Sequence, residues 1–175
     1  MGKDYDKPQY IDVKRDDKTD KKKEFKTINL IKEILSHQSF AVLATNRDHE
    51  SYTSLISFAS DEDLKNIAFA TPIDTNKFKM IENNNNVSIL IDNRSNNENS
   101  INDIGAITSI GSARILKEKE DIKKWSRVLI DKHAYLNDFI NAETTAIVLV
   151  EVSNYYYVTS FQEVLQWNPK EVGSN

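Results

Sequence analysis

The sequence predicts a mainly β protein, built as one small antiparallel barrel with helices at its ends. Short apolar runs of strand length recur along the chain, and polar turn signals separate one run from the next. Because consecutive runs are close enough to be joined as hairpins, antiparallel pairing is favoured. Only a few segments show the three- and four-residue apolar spacing that is typical of amphipathic helices.

The N-terminal part is predicted to be a charged arm followed by a helix. Residues 1–24 mix positive and negative charges with few apolar residues, so we expect a flexible arm with the capacity to order against a partner subunit. Residues 25–175 form the predicted barrel domain. That domain opens with a helix over residues 25–37, in which the apolar residues share one face. They are Phe25, Ile28, Ile31, Ile34 and Leu35.

Strands and two more helices are predicted in the rest of the chain. The predicted strands are residues 40–45, 52–59, 67–71, 87–92, 106–116, 145–152 and 155–159. A short helix is predicted over residues 75–83, and a longer one over residues 118–139. Trp125 and Leu129 lie on the apolar face of the longer helix, which indicates that they are buried.

Composition excludes several classes of site and partner. The 175-residue chain has no Cys, which excludes disulfides, thiol nucleophiles and Cys-ligated metal sites. Its three His are far apart in sequence, so we predict no metal site. The net charge of −4 argues against a nucleic-acid partner, and no apolar run approaches the roughly 20 residues of a membrane span. The N-terminal residues show no secretory signal pattern, so we expect a cytoplasmic location.

The turn after the third predicted strand carries the strongest signal for a ligand site. The strand ends at Thr71, and a helix begins near Thr75 with Asn76 and Lys77 in its first turn. Free N–H groups and the helix dipole at such an N-terminus favour an anion, to which Lys77 adds a full positive charge. Hydroxyl groups of Thr71 and Thr75 are further donors for phosphate oxygens. The alternative is that Asp74 or Thr75 only caps the helix and that Lys77 is solvated.

This turn resembles the phosphate-binding turn of the pyridoxamine 5'-phosphate oxidase-like family of FMN-binding split barrels. The family's turn reads roughly Phe-Tyr-Thr-x-x-x-Ser-Arg-Lys, and the matching residues here are Phe69-Ala70-Thr71 and Thr75-Asn76-Lys77. The resemblance covers about residues 28–168. It includes Ile110-Gly111-Ser112-Ala113-Arg114-Ile115, which is similar to the family's Gly-x-Ala-x-Ile strand. Several motifs in this order identify the chain as similar to the family.

The resemblance implies a Greek-key split β-barrel that binds FMN. Thr75, Asn76 and Lys77 would hold the FMN phosphate, and Thr71 would lie near the ribityl chain or the ring. Trp167 would either stack on a flavin face or pack against the end of the barrel.

The resemblance also implies how the flavin ring is held and which partner is needed. The backbone of one strand segment would hydrogen-bond the polar edge of the isoalloxazine; its residues are Ser54, Leu55, Ile56 and Ser57. The family is usually a homodimer with two FMN sites at the subunit interface. A flat ring needs burial from two sides, and one small barrel offers only one.

The chain departs from true pyridoxamine 5'-phosphate oxidases at positions that matter for the substrate. Thr53-Ser54 and Phe58-Ala59 stand where those enzymes carry an Arg and a Lys, and Asn76 replaces an Arg in the turn. Residues 164–169 hold no counterpart of the basic C-terminal segment. These departures predict a substrate other than pyridoxamine phosphate.

Three functions remain open from the sequence. The resemblance implies an FMN-dependent oxidoreductase that transfers hydride between the flavin and an unidentified small substrate, with a reduced nicotinamide or a deazaflavin as electron source. No residue stands out as a general acid or base, in keeping with chemistry carried by the flavin ring. The second function is a flavin-binding module, a carrier or redox sensor without turnover. The third is a haem-binding or haem-degrading relative with His133 as candidate ligand, although a lone helical His is more often structural or solvated.

Overall fold

The structure is a computed structural model that describes residues 9–12, 18–94, 105–159 and 163–170. The strands of this part are β1 (Gln9–Asp12), β2 (Phe40–Arg47), β3 (Glu50–Ser60), β4 (Asn66–Pro72), β5 (Asn86–Asp92), β6 (Gly105–Ile115), β7 (Thr145–Thr159) and β8 (Glu163–Trp167). Its helices are α1 (Lys18–His37), α2 (Asn76–Asn83), α3 (Lys119–Lys132) and α4 (Asn137–Ile140), with a 3-10 turn at Ala134–Leu136 between the last two.

Six of these strands close into an antiparallel barrel. Their order around the barrel is β7-β4-β3-β2-β5-β6, and β6 pairs with β7 to close it. The first half of β7 pairs with β4, and its second half pairs with β8. Strand β1 pairs in parallel with the other edge of β8. The predicted fold, a mainly β split barrel of antiparallel strands with helices at its ends, is confirmed.

The barrel interior holds the main apolar core. Burial alternates along β2, as expected for a strand with one face toward the core. Every barrel strand contributes side chains that are at most 4% exposed, among them Leu43, Ile56, Phe58, Phe69, Ile89, Ile107 and Val150. Helix α1 adds Ile31 and Leu35 to this core. On the outside of the barrel, α3 buries Trp125 and Leu129, as predicted.

The N-terminal arm differs from the prediction in its described part. Helix α1 begins at Lys18 rather than at Phe25, and residues 9–12 form a strand that pairs with β8. Pairing with a C-terminal strand is a long-range contact, so local composition does not indicate it. Residues 1–8 and 13–17 of the predicted arm lie outside the described residues.

The C-terminal strands also differ from the prediction. Residues 145–159 form one strand instead of two, because Ser153 is accommodated as a bulge and its hydroxyl donates to the Ile110 carbonyl oxygen at 2.9 Å. Strand β8 was not predicted. Polar Glu163 and Gln166 interrupt its short apolar pattern, and its pairing with β7 determines its conformation.

Two adjacent side chains anchor the end of α3. The Lys132 amine lies 3.9 Å from the centre of the Phe58 ring and donates to the Leu35 carbonyl oxygen at 2.7 Å. His133 is 2% exposed, and its Nε2 donates to the Phe58 carbonyl oxygen at 2.8 Å. The helix predicted over residues 118–139 therefore stops at Lys132, because His133 leaves helical geometry as its ring turns inward.

Next to the bulge in β7, the backbone of β7 approaches Gly111 of β6 so closely that no side chain fits there. A Cβ at Gly111 would clash with the Glu151 carbonyl oxygen and lie 2.9 Å from a Val150 methyl carbon. We expect Gly111→Ala to lower the free energy of unfolding by about 1–3 kcal/mol, measured by urea denaturation. Ser112→Ala, at the next position of β6, is the control, because it adds no Cβ to the strand. Equal losses in the two variants would contradict a backbone clash as the cause.

The buried amine of Lys132 predicts a pH dependence of stability. Burial lowers the pKa of Lys132 to about 8, whereas the unfolded chain has the ordinary value of about 10.4. Between these values the unfolded chain binds the extra proton, so this group makes the free energy of unfolding rise with pH. We expect Lys132→Met to lack that rise in urea unfolding across the window. Lys123→Met, at an exposed position of α3, is the control. A wild-type curve parallel to that of Lys132→Met would refute the assignment.

Candidate functional site

Strand β3 extends beyond its pairing with β4 and leaves one edge open. Strand β2 pairs along β3 from Glu50 to Ser57, whereas β4 pairs only with Phe58, Ala59 and Ser60. A strand inside a sheet forms hydrogen bonds along both edges. The edge of residues 54–57 that faces away from β2 therefore has no strand partner within the described ranges. Backbone N–H and C=O groups along this edge are available to a ligand.

The turn from β4 into α2 borders the same opening. Extending the β3–β4 register past Phe58 and Phe69 brings Thr71 opposite Ile56. Thr71 is fully buried, and its hydroxyl oxygen lies 3.2 Å from that of Thr75. The opening thus has the strand edge on one side and a pair of hydroxyl groups on the other.

Thr75 caps α2, which was the alternative role considered from the sequence. Its Oγ1 donates to the Pro72 carbonyl oxygen at 2.9 Å and accepts from the Phe78 N–H at 3.4 Å. Capping satisfies only one of the free N–H groups of the first helical turn. The N–H groups of Asn76 and Lys77 make no backbone bond in the described structure, so the N-terminus of α2 keeps donors for an anion.

Lys77 is the cation that this turn leaves without an acidic neighbour. Lys79, two residues further along α2, forms an ion pair with Asp74 at 2.6 Å, and this pairing lowers the pKa of the Asp74 carboxyl. Lys77 is half-buried, has no hydrogen-bond or ion-pair partner in the described part of the chain, and burial lowers its pKa. A partly desolvated amine beside free N–H groups favours an anionic ligand, because a bound anion restores the interactions that burial removed.

The predicted ring-binding segment is split between the two faces of the barrel wall. Ile56 lies in the core, and the buried Ser54 hydroxyl has no hydrogen-bond partner among the described residues. Leu55 and Ser57 point outward, where Leu55 is 66% exposed. The backbone edge of this segment and these two outward side chains are therefore the groups within reach of a ligand outside the barrel.

Trp167 does not join the other predicted site residues in the single chain. It is 4% exposed and stacks on Tyr155, with ring centres 5.8 Å apart and planes inclined at 23°. Its indole N–H has no partner in the part of the chain that the structure describes. Of the two roles considered from the sequence, packing against the barrel is the one that this geometry favours.

Tyr135 is a residue of this region that the sequence did not indicate. It lies on the 3-10 turn after α3, and its hydroxyl oxygen is 3.2 Å from that of Ser57. The two residues are 78 positions apart in the chain, so no local pattern connects them. The end of α3 at Lys132 is the feature that turns Tyr135 toward β3. The sequence did not reveal this end, because the apolar spacing continues past it and predicts one helix over residues 118–139.

The outer face of β2, β3 and β5 is apolar next to this opening. Val42 pairs with Leu55 on one side and with Leu90 on the other, which aligns the three side chains in one row. Leu90 is 39% exposed and Phe40, one row away, is 53% exposed. Exposed apolar side chains in a contiguous row indicate a surface that another molecule covers.

Within the described ranges, no group of His, Asp and Glu side chains is arranged to hold a metal ion. No helix of the described residues is long and apolar enough to cross a membrane.

The sequence of the chain matches one protein family. The family model described as pyridoxamine 5'-phosphate oxidase matches residues 29–159. No curated protein matches the chain. Among solved structures, general stress protein 26 from Bacillus anthracis is 21% identical, with a TM-score of 0.59 over 75% of this chain and 93% of that chain.

Two further structures are similar in fold. A protein related to general stress protein 26, of the pyridoxinephosphate oxidase family from Clostridium acetobutylicum, is 13% identical, with a TM-score of 0.65 over 83% of this chain and 96% of that one. A heme binding protein from Mycobacterium smegmatis is 14% identical, with a TM-score of 0.68 over 78% of this chain and 55% of that one. At these identities the structures show a shared fold.

The family match covers most of the barrel, from α1 to the end of β7. Members of this family usually bind a flavin and commonly form dimers. On this match, the chain belongs to the pyridoxamine 5'-phosphate oxidase family.

Proposed function

We propose that the chain is a cytoplasmic, FMN-dependent oxidoreductase that transfers hydride between the flavin and a small substrate, as a homodimer. The observation that carries the proposal is the open edge of β3 at residues 54–57, beside the point where β4 leaves β3 and continues into the turn before α2. The edge of a flavin ring carries both hydrogen-bond donors and acceptors. A strand edge presents both kinds of group in fixed positions, and this chain leaves such an edge without a strand partner in its described part.

The phosphate end of FMN fits the first turn of α2. Backbone N–H groups of Asn76 and Lys77 and the side chain of Lys77 are donors without protein acceptors in the described structure. Thr71 and Thr75 hold the turn from within, because their hydroxyl groups lie 3.2 Å apart and both donate to the Pro72 carbonyl oxygen. Because Lys79 already neutralises Asp74, no unpaired carboxylate in this turn opposes a phosphate dianion.

FMN, when bound, supplies hydride transfer at its N5 position, and the chain supplies binding, orientation and exclusion of water. Phe58 and Ala59 are apolar and at most 2% exposed, so this end of β3 presents no charged side chain of its own to a phosphorylated substrate. The Lys132 amine beside Phe58 is bonded to the Leu35 carbonyl oxygen. These residues favour a neutral or weakly charged substrate over a phosphorylated one.

The phosphate assignment is tested by removing the Lys77 amine. We expect Lys77→Ala to weaken FMN binding about 10- to 150-fold, because a charge-assisted hydrogen bond contributes roughly 1.5–3 kcal/mol. The measurement is FMN titration of the apoprotein, followed by flavin fluorescence.

The double variant Asp74→Asn/Lys79→Ala is the matched control for that titration, because it removes a cation of the same helix together with the carboxylate that this cation neutralises. Lys79 lies on the same helix, but its amine is exposed and paired with Asp74. An exposed ion pair contributes at most about 1 kcal/mol, so we expect a change within about fivefold. FMN affinity that is unaffected by Lys77→Ala, or equally reduced by both variants, would remove the phosphate from this turn.

The homodimer is supported by the apolar row of Val42, Leu55 and Leu90. Leu55 is the most exposed of these and borders the open edge of β3. A second barrel packed on this row would cover the ring from the side that one barrel leaves open, and would bury apolar surface that water otherwise contacts.

The dimer surface is tested by placing a charge in the row. We expect Leu55→Lys to raise the dimer dissociation constant about tenfold or more, because burying a Leu side chain contributes about 1.5–3 kcal/mol. Sedimentation equilibrium measures the constant. Phe25→Lys is the control, since Phe25 is equally exposed at 67% but lies on α1. A dimer that tolerates Leu55→Lys as well as Phe25→Lys would place the interface elsewhere.

Haem binding is the second candidate function, because one similar fold is that of a heme binding protein. His133, the candidate ligand from the sequence, is buried, and its Nε2 is bonded to the Phe58 carbonyl oxygen. His37 is exposed and its Nδ1 donates to the Glu33 carbonyl oxygen at 2.8 Å, which leaves its Nε2 free as a ligand. Haem titration of the apoprotein in parallel with FMN separates the two: an intense haem band lost in His37→Ala or His133→Ala, without FMN uptake, would favour haem.

A flavin-binding module without turnover uses the same site and differs only in kinetics. The FMN-loaded protein is mixed with reduced nicotinamide, and flavin absorbance is followed. Reduction and acceptor-dependent reoxidation within seconds would support an enzyme, and a flavin that stays oxidised with every donor tried would support a carrier.

A further inference from the structure

Tyr135 is an exposed aromatic side chain held beside the proposed flavin site. It is 66% exposed, although Tyr usually buries most of its ring. Its hydroxyl oxygen lies 3.2 Å from that of Ser57, the last residue of the open edge of β3. Ser57 in turn points outward beside Phe40, on the face where the apolar row lies. The phenol is therefore at the junction of the open edge and the outer face.

The position of Tyr135 is fixed by its neighbours in sequence. The His133 ring meets the Tyr135 ring edge-on, with centres 5.8 Å apart and planes inclined at 72°. His133 is bonded to the Phe58 carbonyl oxygen, and Lys132 lies over the Phe58 ring. The turn that carries Tyr135 is thus attached to β3 next to Ser57, so the phenol does not depend on a mobile loop for its placement.

We propose that Tyr135 binds the substrate over the flavin, as a hydrogen-bond donor and aromatic wall for a planar, uncharged electron acceptor with a carbonyl oxygen, the chemistry of a quinone. This proposal rests on the proposed function. Reduced FMN, held by the edge of residues 54–57 and the first turn of α2, would supply a hydride and a proton, which would convert a quinone to a hydroquinone and leave the flavin oxidised. A reduced nicotinamide is the donor class that restores reduced FMN.

The chemistry around Tyr135 selects an uncharged acceptor. Among the described residues, it forms a polar contact with the Ser57 hydroxyl and a ring contact with His133, and burial lowers the pKa of His133 so that the ring is neutral at neutral pH. The nearby Lys132 amine is directed to the Leu35 carbonyl oxygen instead of toward the phenol. An anionic acceptor would lose its hydration here without gaining a cation.

The test uses the FMN-loaded protein, reduced with dithionite in the absence of oxygen. Menadione is the uncharged acceptor and 1,2-naphthoquinone-4-sulfonate the anionic one, and reoxidation is followed by stopped-flow absorbance. We expect Tyr135→Phe to raise the half-saturating menadione concentration about fivefold with little change in the limiting rate, as for one lost hydrogen bond of roughly 1 kcal/mol. We expect Tyr135→Ala to brighten the fluorescence of bound FMN as well, because a phenol in contact with the ring quenches it.

Each result of this test supports or overturns the assignment. Tyr52→Phe, at an exposed Tyr near the other end of β3, is the control and should leave menadione saturation unchanged. Wild-type saturation and fluorescence in both Tyr135 variants, with FMN affinity intact, would overturn the role of Tyr135 and leave the flavin assignment standing. Equal reactivity of the sulfonate would overturn the preference for an uncharged acceptor. A wild-type protein that binds no FMN would overturn the proposed function and the role of Tyr135 together.

Discussion

The parting of β3 from β4 is the constraint on which the rest of the molecule depends. Strand β4 pairs with β7 from Asn66 to Pro72, but with β3 only next to the β3–β4 turn. Barrel closure requires the long pairing with β7, because β7 also carries β6 and β8. Since β4 follows β7, it diverges from β3 and leaves an unpaired edge. Unpaired edges are available to other partners, and here an apolar outer face lies beside the edge.

The end of α3 fixes the opposite boundary of that opening. Lys132 and His133 contact the ring and the carbonyl group of one residue, Phe58, at the last point where β3 and β4 are still paired. Burying two basic side chains costs free energy, as the lowered pKa values of both indicate. That cost is met by hydrogen bonds to carbonyl oxygens, which need no counter-charge. The contacts of Lys132 and His133 therefore hold the following 3-10 turn in place without an acidic partner beside the opening.

The spacing of apolar residues and the positions of turn residues predicted the barrel strands and the buried faces of the helices, because strands and helix faces depend on residues close in sequence. The burial of Trp125 and Leu129 and the helix start at Thr75 follow from such local patterns. Strand β8, the Ser153 bulge and the Ser57–Tyr135 contact did not follow, because each is determined by a partner far away in the chain. The proposed phosphate turn is visible in the sequence because its residues are consecutive. The open edge of β3 is not visible in this way, because a missing strand pairing leaves no pattern in the sequence of one strand.

A cofactor shared between two barrels would couple two surfaces of each chain, the proposed phosphate turn and the apolar row. The phosphate turn at Lys77 and the apolar row at Leu55 lie on different elements, α2 and β3. If each ring is covered by both subunits, FMN binds the dimer more tightly than the monomer, and by linkage the dimer forms more readily when FMN is bound. The factor by which dimerisation tightens FMN binding must then equal the factor by which bound FMN tightens the dimer. This reciprocity distinguishes a shared flavin site from a dimer that merely happens to carry two independent ones.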